Sequence, residues 1–281
     1  VIVAWSDGTT TARGDFSARG GAAGGGGGLV EISGKEMLVF EAAVDTTASN
    51  GQRGMLLLDP TNITIGTTAN INGDGTLGDD ITGAGDLGNS ANYGAVNSQI
   101  TATQLSNLLN TTDVTLAATN DITVAAAIGK TGATDTTLTL SAGNNININA
   151  GISSTGSKLN LNLVSDADLS GAGGSVFGNV TLNLGGGALN ATEGGGRASK
   201  GAGTLTLDNA AVTLKDFTFA GTLNGSASLI VTGALSVNAG GTYSGTGGLT
   251  TQGTSTLASG TFTLNGSTWN NAGTLVLNGN S

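Results

Sequence analysis

VTLAATNDITVAAAI at residues 114–128 is answered by LTLSAGNNININAGI at residues 138–152, 24 positions further on. Val114, Leu116, Ile122, Val124 and Ile128 map onto Leu138, Leu140, Ile146, Ile148 and Ile152, and Asn120 maps onto Asn144. The pattern extends outward from this pair. Leu159, Leu161 and Leu163 recur as Val180, Leu182 and Leu184, displaced by 21, and Leu205 and Leu207 recur as Leu229 and Val231, displaced by 24. Self-similarity at a fixed short period is the mark of a repeat architecture, here with a period of about 21–24 residues.

Within each repeat the apolar residues alternate with Thr, Asn or Ser, the period-2 signature of strands with one buried face. Clusters such as GKTGATD at 129–135, SAGNN at 141–145 and GAGG at 171–174 supply the positive φ that sharp corners require. Strands this short and this widely spaced pair with their counterparts one repeat later rather than as hairpins. The expected fold is therefore all-β, a single-stranded parallel β-helix of about twelve coils with Leu, Val and Ile stacked inside. At a rung spacing of ~4.8 Å that is a rod of ~60 Å. One segment reads as helical: in SQITATQLSNLLNTT, Leu105, Leu108 and Leu109 fall at i, i+3 and i+4, which predicts a short helix near 103–110 between Thr103 and Asn110. So short a helix is marginal alone and must lie on the solenoid. The chain divides into 1–96 with glycine-rich loops, a helical insertion at 97–112, and regular coils over 113–281, all one continuous solenoid.

Composition narrows the function. Fifty of 281 residues are glycine and one is proline, which excludes collagen and favours a turn-rich fold. There is no histidine and no cysteine, which removes Ser-His and Cys-His dyads, imidazole and thiolate metal ligands, iron-sulfur clusters and disulfides. A net charge of -10 argues against nucleic acid as a partner, and no apolar run is long enough for a membrane-spanning helix. Residues 1–86 hold eleven acids and four bases, residues 87–281 eight acids and five bases, and after Asp216 no formal charge remains. Identical neutral surfaces can stack without like-charge repulsion.

The first third carries more specific signals. VIVAWSDGTT at 1–10, FSARGGAAGGGGGLVEISGK at 16–35, VDTTASNGQRGMLLLDPTNITI at 44–65 and TQLSNLLNTTDVTLAATNDITV at 103–124 together resemble the filamentous-haemagglutinin-like exoproteins of bacterial two-partner secretion. Leu29 stands where that family has an aromatic residue, whereas Val30, Glu31, Ser33, Gly34, Lys35 and the run Leu56 to Ile65 match its pattern. The resemblance is specific over about residues 1–125. It implies a right-handed β-solenoid exported across a Gram-negative outer membrane, extracellular or surface-associated, serving as adhesin, biofilm component or filament. The absence of disulfides fits export in an unfolded state. The family's secretion module is not among these residues, and Val1 is not an initiator, so the expectation is a distal part of an exoprotein, a processed form or a relative with another export route.

Candidate sites each have a plainer reading. Arg13-Gly14-Asp15 is a receptor-type tripeptide if a loop presents it, but the family pattern already places Arg-Gly here. Asn70, Asn72, Asp74 and Gly75 reproduce part of a calcium loop, followed by Asp79, Asp80 and Asp86, yet Ile81 stands where the closing acid belongs. Glu193, Arg197 and Lys200 form the main charge cluster of the second half. A polysaccharide lyase needs a base beside an acid-binding groove, whereas three charges on a glycine-rich loop read as a solvated turn. Gly24–Gly28 lacks the ending of a phosphate loop and reads as a turn. Trp5 and Trp269 read as core or edge packing rather than sugar platforms. Asn-x-[ST] triplets, those at Asn62, Asn110, Asn190, Asn224 and Asn265 among them, are what a Thr- and Asn-rich chain produces by chance. No catalytic, cofactor or metal residue is assigned. The expected function is a non-enzymatic adhesin or filament component that self-associates end to end, or continues into neighbouring segments of a longer exoprotein, and meets surface glycans or proteins. The alternative is a lyase-like enzyme on the same fold.

Overall fold

Alternation forces each short strand to bury one face, and glycine or Asx corners turn the chain so that the next strand buries its face against the same axis. The computed structural model describes residues 1–67, 98–238, 240–258 and 260–278. It is a parallel β-helix whose coils trace three walls. The first wall carries eleven rungs with inward residues Ile2, Val30, Leu56, Val114, Leu138, Leu161, Leu189, Val212, Leu229, Leu249 and Trp269 in one column. The second wall has twelve strands, from Thr9–Ser17 to Leu275–Leu277. The third begins at Ile128–Lys130 and continues through Ile152–Ser154, the first halves of Thr181–Ala191 and Thr204–Leu214, then Thr222–Asn224, Thr242–Tyr243 and Thr263–Leu264. Inward Leu, Ile and Val side chains of the middle coils are 0–2 % exposed along the first wall, from Val114 to Leu163. Each such side chain contributes about 1.5–3 kcal/mol by leaving water.

The repeat at 114–152 is in register as read: Leu138 lies on Val114, Ile146 on Ile122 and Ile152 on Ile128. The two later displacements are corrected. Leu161 pairs with Leu189 instead of Leu182, and Leu182 belongs to the third wall, between Ile152 and Leu207. Leu229 pairs with Val212 instead of Leu205, and Leu205 pairs with Leu223. Coil length thus varies to both sides of the range read from the sequence. The physical reason is that a three-walled coil offers three similar alternating strands per turn, so matching leucine patterns need not lie on one wall.

The helix spans Ala102–Leu108, and Thr101 rather than Thr103 caps it, its hydroxyl accepting from the Gln104 amide at 3.0 Å. It closes the edge of the third wall. Ser106 Oγ accepts from the Gly129 amide at 2.9 Å, and Asn110 Oδ1 accepts from the amides of Thr131 and Gly132. Otherwise the edge strand Ile128–Lys130 would present unpaired donors. Ahead of the helix, Ser98–Thr101 is a strand the sequence did not announce. It lies in the second wall between Met37–Asp45 and Ile63–Gly66, out of chain order. The first wall runs without such an insertion from Leu29–Gly34 to Met55–Leu58 to Asp113–Ala118. In the glycine-rich loop below, Gly27 has no room for a side chain: a Cβ there would lie 1.9 Å from the Thr46 carbonyl oxygen. No helix of the described residues is long and apolar enough to cross a membrane.

Toward the final coils the core becomes aromatic and polar. Phe217 stacks on Phe219 at 5.5 Å, and edge-on contacts link Phe219 to Phe262 and Phe262 to Trp269. Trp269 Nε1 donates to Thr251 Oγ1 at 2.9 Å, and Asn271 Oδ1 accepts from Thr251 and Ser255. Trp269 is packed in the core side of its rung, whereas Trp5 faces outward on the first strand and is 59 % exposed.

Two measurements test this fold. The chain has no native cysteine. Adjacent rungs ~4.8 Å apart fall within disulfide reach, so Asn162→Cys with Asn190→Cys, which are paired on neighbouring strands, should cross-link under mild oxidation. Asn162→Cys with Asn183→Cys, the pair that the shorter displacement read from the sequence would align, should stay reduced. Tyr243, buried with its hydroxyl donating to the Gly248 carbonyl at 2.8 Å, has its pKa pushed by burial to about 12 from 10.0. The folded state holds that proton more tightly than the unfolded one, so its contribution is complete below pH 10 and is lost as pH rises toward 12. Denaturant titrations should show wild type losing about 2 kcal/mol more than Tyr243→Phe across that window.

Candidate functional site

A backbone N–H at a corner must find an acceptor; many take a carbonyl of the coil below, as Gly143 does on Ala118, and at several corners an Asp or Asn at the foot of a strand supplies it. Asn62 Oδ1 accepts from the Asp121 amide, Asp121 Oδ1 from Asn145 at 2.9 Å, and Asn145 Oδ1 from Gly174 at 3.1 Å, a column along one corner. Asp113 accepts from Thr137, Asp135 from Lys158, Asp208 from Ser226 and Asp216 from Ala234 in the same manner. Most of the acids in the second and third parts of the chain are therefore corner acceptors. The sequence signal was present, since Asp121 and Asn145 directly precede Ile122 and Ile146 and share their displacement.

The Glu193, Arg197 and Lys200 group is not a solvated loop. Arg197–Lys200 is a strand of the second wall, and the three charges part company. Glu193 is exposed. Arg197 turns back along the wall, its NH2 2.9 Å from Asp166 Oδ2 and its Nε donating to the Gly173 carbonyl at 3.0 Å. Asp166 itself is 2 % exposed and sits at φ 54. Burial pushes its pKa up, but hydrogen bonds from Ser170 and the Gly171 amide together with Arg197 outweigh this and hold it below the usual carboxylate range.

Lys200 points into the core, 3 % exposed, in the inward column between Phe177 and Phe219. Its Nζ donates to Asn179 Oδ1 at 2.9 Å and to the carbonyls of Gly201 and Ala202 at 3.0 and 2.7 Å. Lys130, fully buried on the third wall, repeats the device, donating to the Gly132 carbonyl at 2.8 Å and to Ser157 Oγ. Desolvation lowers the pKa of both. Each lysine is the last inward residue before a corner and reaches a carbonyl two positions on. A lyase-like arrangement would need Arg197 and Lys200 to share a groove. They face opposite sides of the wall.

Arg13-Gly14-Asp15 lies within the strand Thr9–Ser17, not on a loop tip. Arg13 Nε is 2.7 Å from Glu41 Oε2 on the next rung, and Gly14 has φ 85 with open space around it. Asn70, Asn72, Asp74, Gly75, Asp79, Asp80 and Asp86 lie outside the described residues. Among the described residues no three acids converge as a metal cage. Among the described residues, an open groove of about 440 Å³ lies on the outside of the first wall. Gly27, Gly28, Gly54, Met55, Thr115 and Thr139 are among its lining residues. Arg53 spans it, 3.7 Å from Asp113 Oδ1 and donating to the Asp135 carbonyl. Its lining thus combines a guanidinium, threonine hydroxyls and a thioether.

No protein-family model matches the chain, and no curated protein matches it in sequence.

The two ends of the charge cluster should respond oppositely to truncation. Lys200→Ala leaves a void between two phenylalanines and orphans three acceptors, and should cost about 2–4 kcal/mol in chemical denaturation. Glu193→Ala should stay within about 0.5 kcal/mol of wild type.

Proposed function

We propose that this protein is a non-enzymatic, extracellular or surface-associated structural solenoid that works by repetitive surface contact, as adhesin or filament component. The observation that carries this is the outward column of the second wall. From Gln99 through Thr64, Thr123, Asn147, Val176, Ser199, Thr218, Ser236 and Thr256 to Val276, this column carries no charged side chain, Arg197 and Asp216 lying at the feet of their strands beside it. Such a wall offers hydroxyls and amides at a fixed ~4.8 Å repeat to another polymer or another rod. The last rung adds to it. Its inward residues Leu275 and Leu277 are 44 % and 67 % exposed, whereas Leu235 and Val237, two rungs below, are buried. A further coil, from a second copy or from adjoining sequence of a longer exoprotein, completes that core. The likeness of residues 1–125 to haemagglutinin-type exoproteins of two-partner secretion supports export from a Gram-negative cell.

Sedimentation and negative-stain microscopy of the 281-residue chain should show concentration-dependent end-to-end particles that persist in high salt, because the contact is neutral. Leu275→Lys and Leu277→Lys should abolish them. Persistent monomers at high concentration, or release of unsaturated sugars from an acidic polysaccharide, would overturn the reading.

A further inference from the structure

The third wall ends in the same pentapeptide twice, TLNGS at 222–226 and at 263–267, two coils apart. At the first of these corners the backbone makes an unusual contact. The Gly225 amide donates to Oδ1 of its own neighbour Asn224 at 2.8 Å. The surrounding amides bond to the coil below: Ser226 N reaches Asp208 Oδ1 and Ala227 N reaches the Leu207 carbonyl. Gly225 N is instead turned onto the Asn224 carboxamide, whose carbon is one bond beyond the contacted oxygen.

Three further features hold this geometry. Gly225 has φ 111, and a Cβ there would lie 2.1 Å from the Leu207 carbonyl oxygen, so the corner is pinned against the coil below. Its carbonyl accepts from the Thr246 amide at 2.8 Å, which fixes the peptide from above. Asn224 is exposed, so solvent reaches the carboxamide.

We infer that Asn224-Gly225 is a self-modification site, at which the folded corner converts asparagine to aspartate and isoaspartate. The Gly225 nitrogen gives its proton to solvent base and attacks Asn224 Cγ. The new C–N bond closes a five-membered succinimide as the Cγ–Nδ2 bond breaks, and Nδ2 leaves as ammonia after taking up a proton. Water then adds to either imide carbonyl, reopening the ring as aspartyl or isoaspartyl peptide. One amide nitrogen is lost and one water consumed, and no oxidant or cofactor is required. In a regular rung the attacking N–H is tied to the neighbouring coil and the ring cannot close. Here the corner holds nucleophile and carboxamide together, the proximity that accelerates intramolecular reactions.

The product matters because of where it forms. The chain beyond Asp216 has no charged side chain, and conversion plants a carboxylate there, beside the corner where Ser226 binds Asp208. The isoaspartyl form also lengthens the backbone by one atom within a stacked coil.

Folded protein incubated at mildly alkaline pH and mapped by mass spectrometry of its peptides tests the site. Asn50-Gly51 is an internal control, an exposed Asn-Gly pair whose side-chain amide donates to the Ala22 carbonyl at 2.8 Å. Amide-to-acid conversion should appear at Asn224 about tenfold faster than at Asn50, and faster in the folded chain than in urea. Asn224→Thr, which continues the threonine pattern of the wall, should remove the signal while leaving the thermal transition in place. Conversion at Asn224 no faster than at Asn50, or faster in the unfolded chain than in the folded one, would overturn the inference.

Discussion

In a parallel solenoid each wall's N–H and C=O groups point along the rod, so each coil is the only polar partner its neighbour has. Straight segments meet this demand automatically through the ladder. Corners meet it only in part, because the backbone there leaves the strand direction, although amides such as those of Gly143 and Ala227 still reach a carbonyl of the coil below. The Asp and Asn columns, Asn62 to Asp121 to Asn145 among them, give the remaining corner donors a bond with the preceding coil. Once that connection is made, inward register follows, and leucine falls on leucine. Most acids in the second and third parts of the chain serve this requirement.

The buried lysines obey the same rule from inside. An ammonium group in an apolar core is costly unless every donor is matched. Lys200 and Lys130 solve this by bending back onto carbonyls of the corner that follows them. They tie down the chain where it turns and leave the methylene stem to pack between rungs, between Phe177 and Phe219 in the case of Lys200. Charge at these positions belongs to corner construction, as it does for Asp166 and Arg197 on the outer side.

Fold class was legible because alternation and a fixed recurrence coincide between Val114 and Ile152. Register beyond that was not, because the turn from Leu161 to Leu189 is longer than the repeat and the turn from Val212 to Leu229 is shorter. Leu159–Leu163 and Leu182–Leu184 look alike in sequence but occupy different walls. The helix was visible in Leu105, Leu108 and Leu109, while its duty as an edge cover depends on Ser106 and Asn110 meeting residues 129–132. Lys200 reads as a loop charge by its composition, although its alternation phase, two after Ala198, already places it inward. Phase outweighs charge when a lysine has carbonyls within reach.

The strand Ser98–Thr101 has a mechanical consequence. Solenoids normally fray from their ends one coil at a time, because each coil touches only its neighbours. Here a later segment is sewn beneath an earlier one, bonded to Ile63–Gly66 on one side and meeting Met37–Asp45 on the other. Its continuation, the helix, reaches both ways, with Gln104 on the Ala42 carbonyl and Ser106 on Gly129. Peeling the first coils from the rod therefore means breaking contacts made by chain that comes after them. The stitch joins the leading coils into a single block that cannot be peeled away one coil at a time.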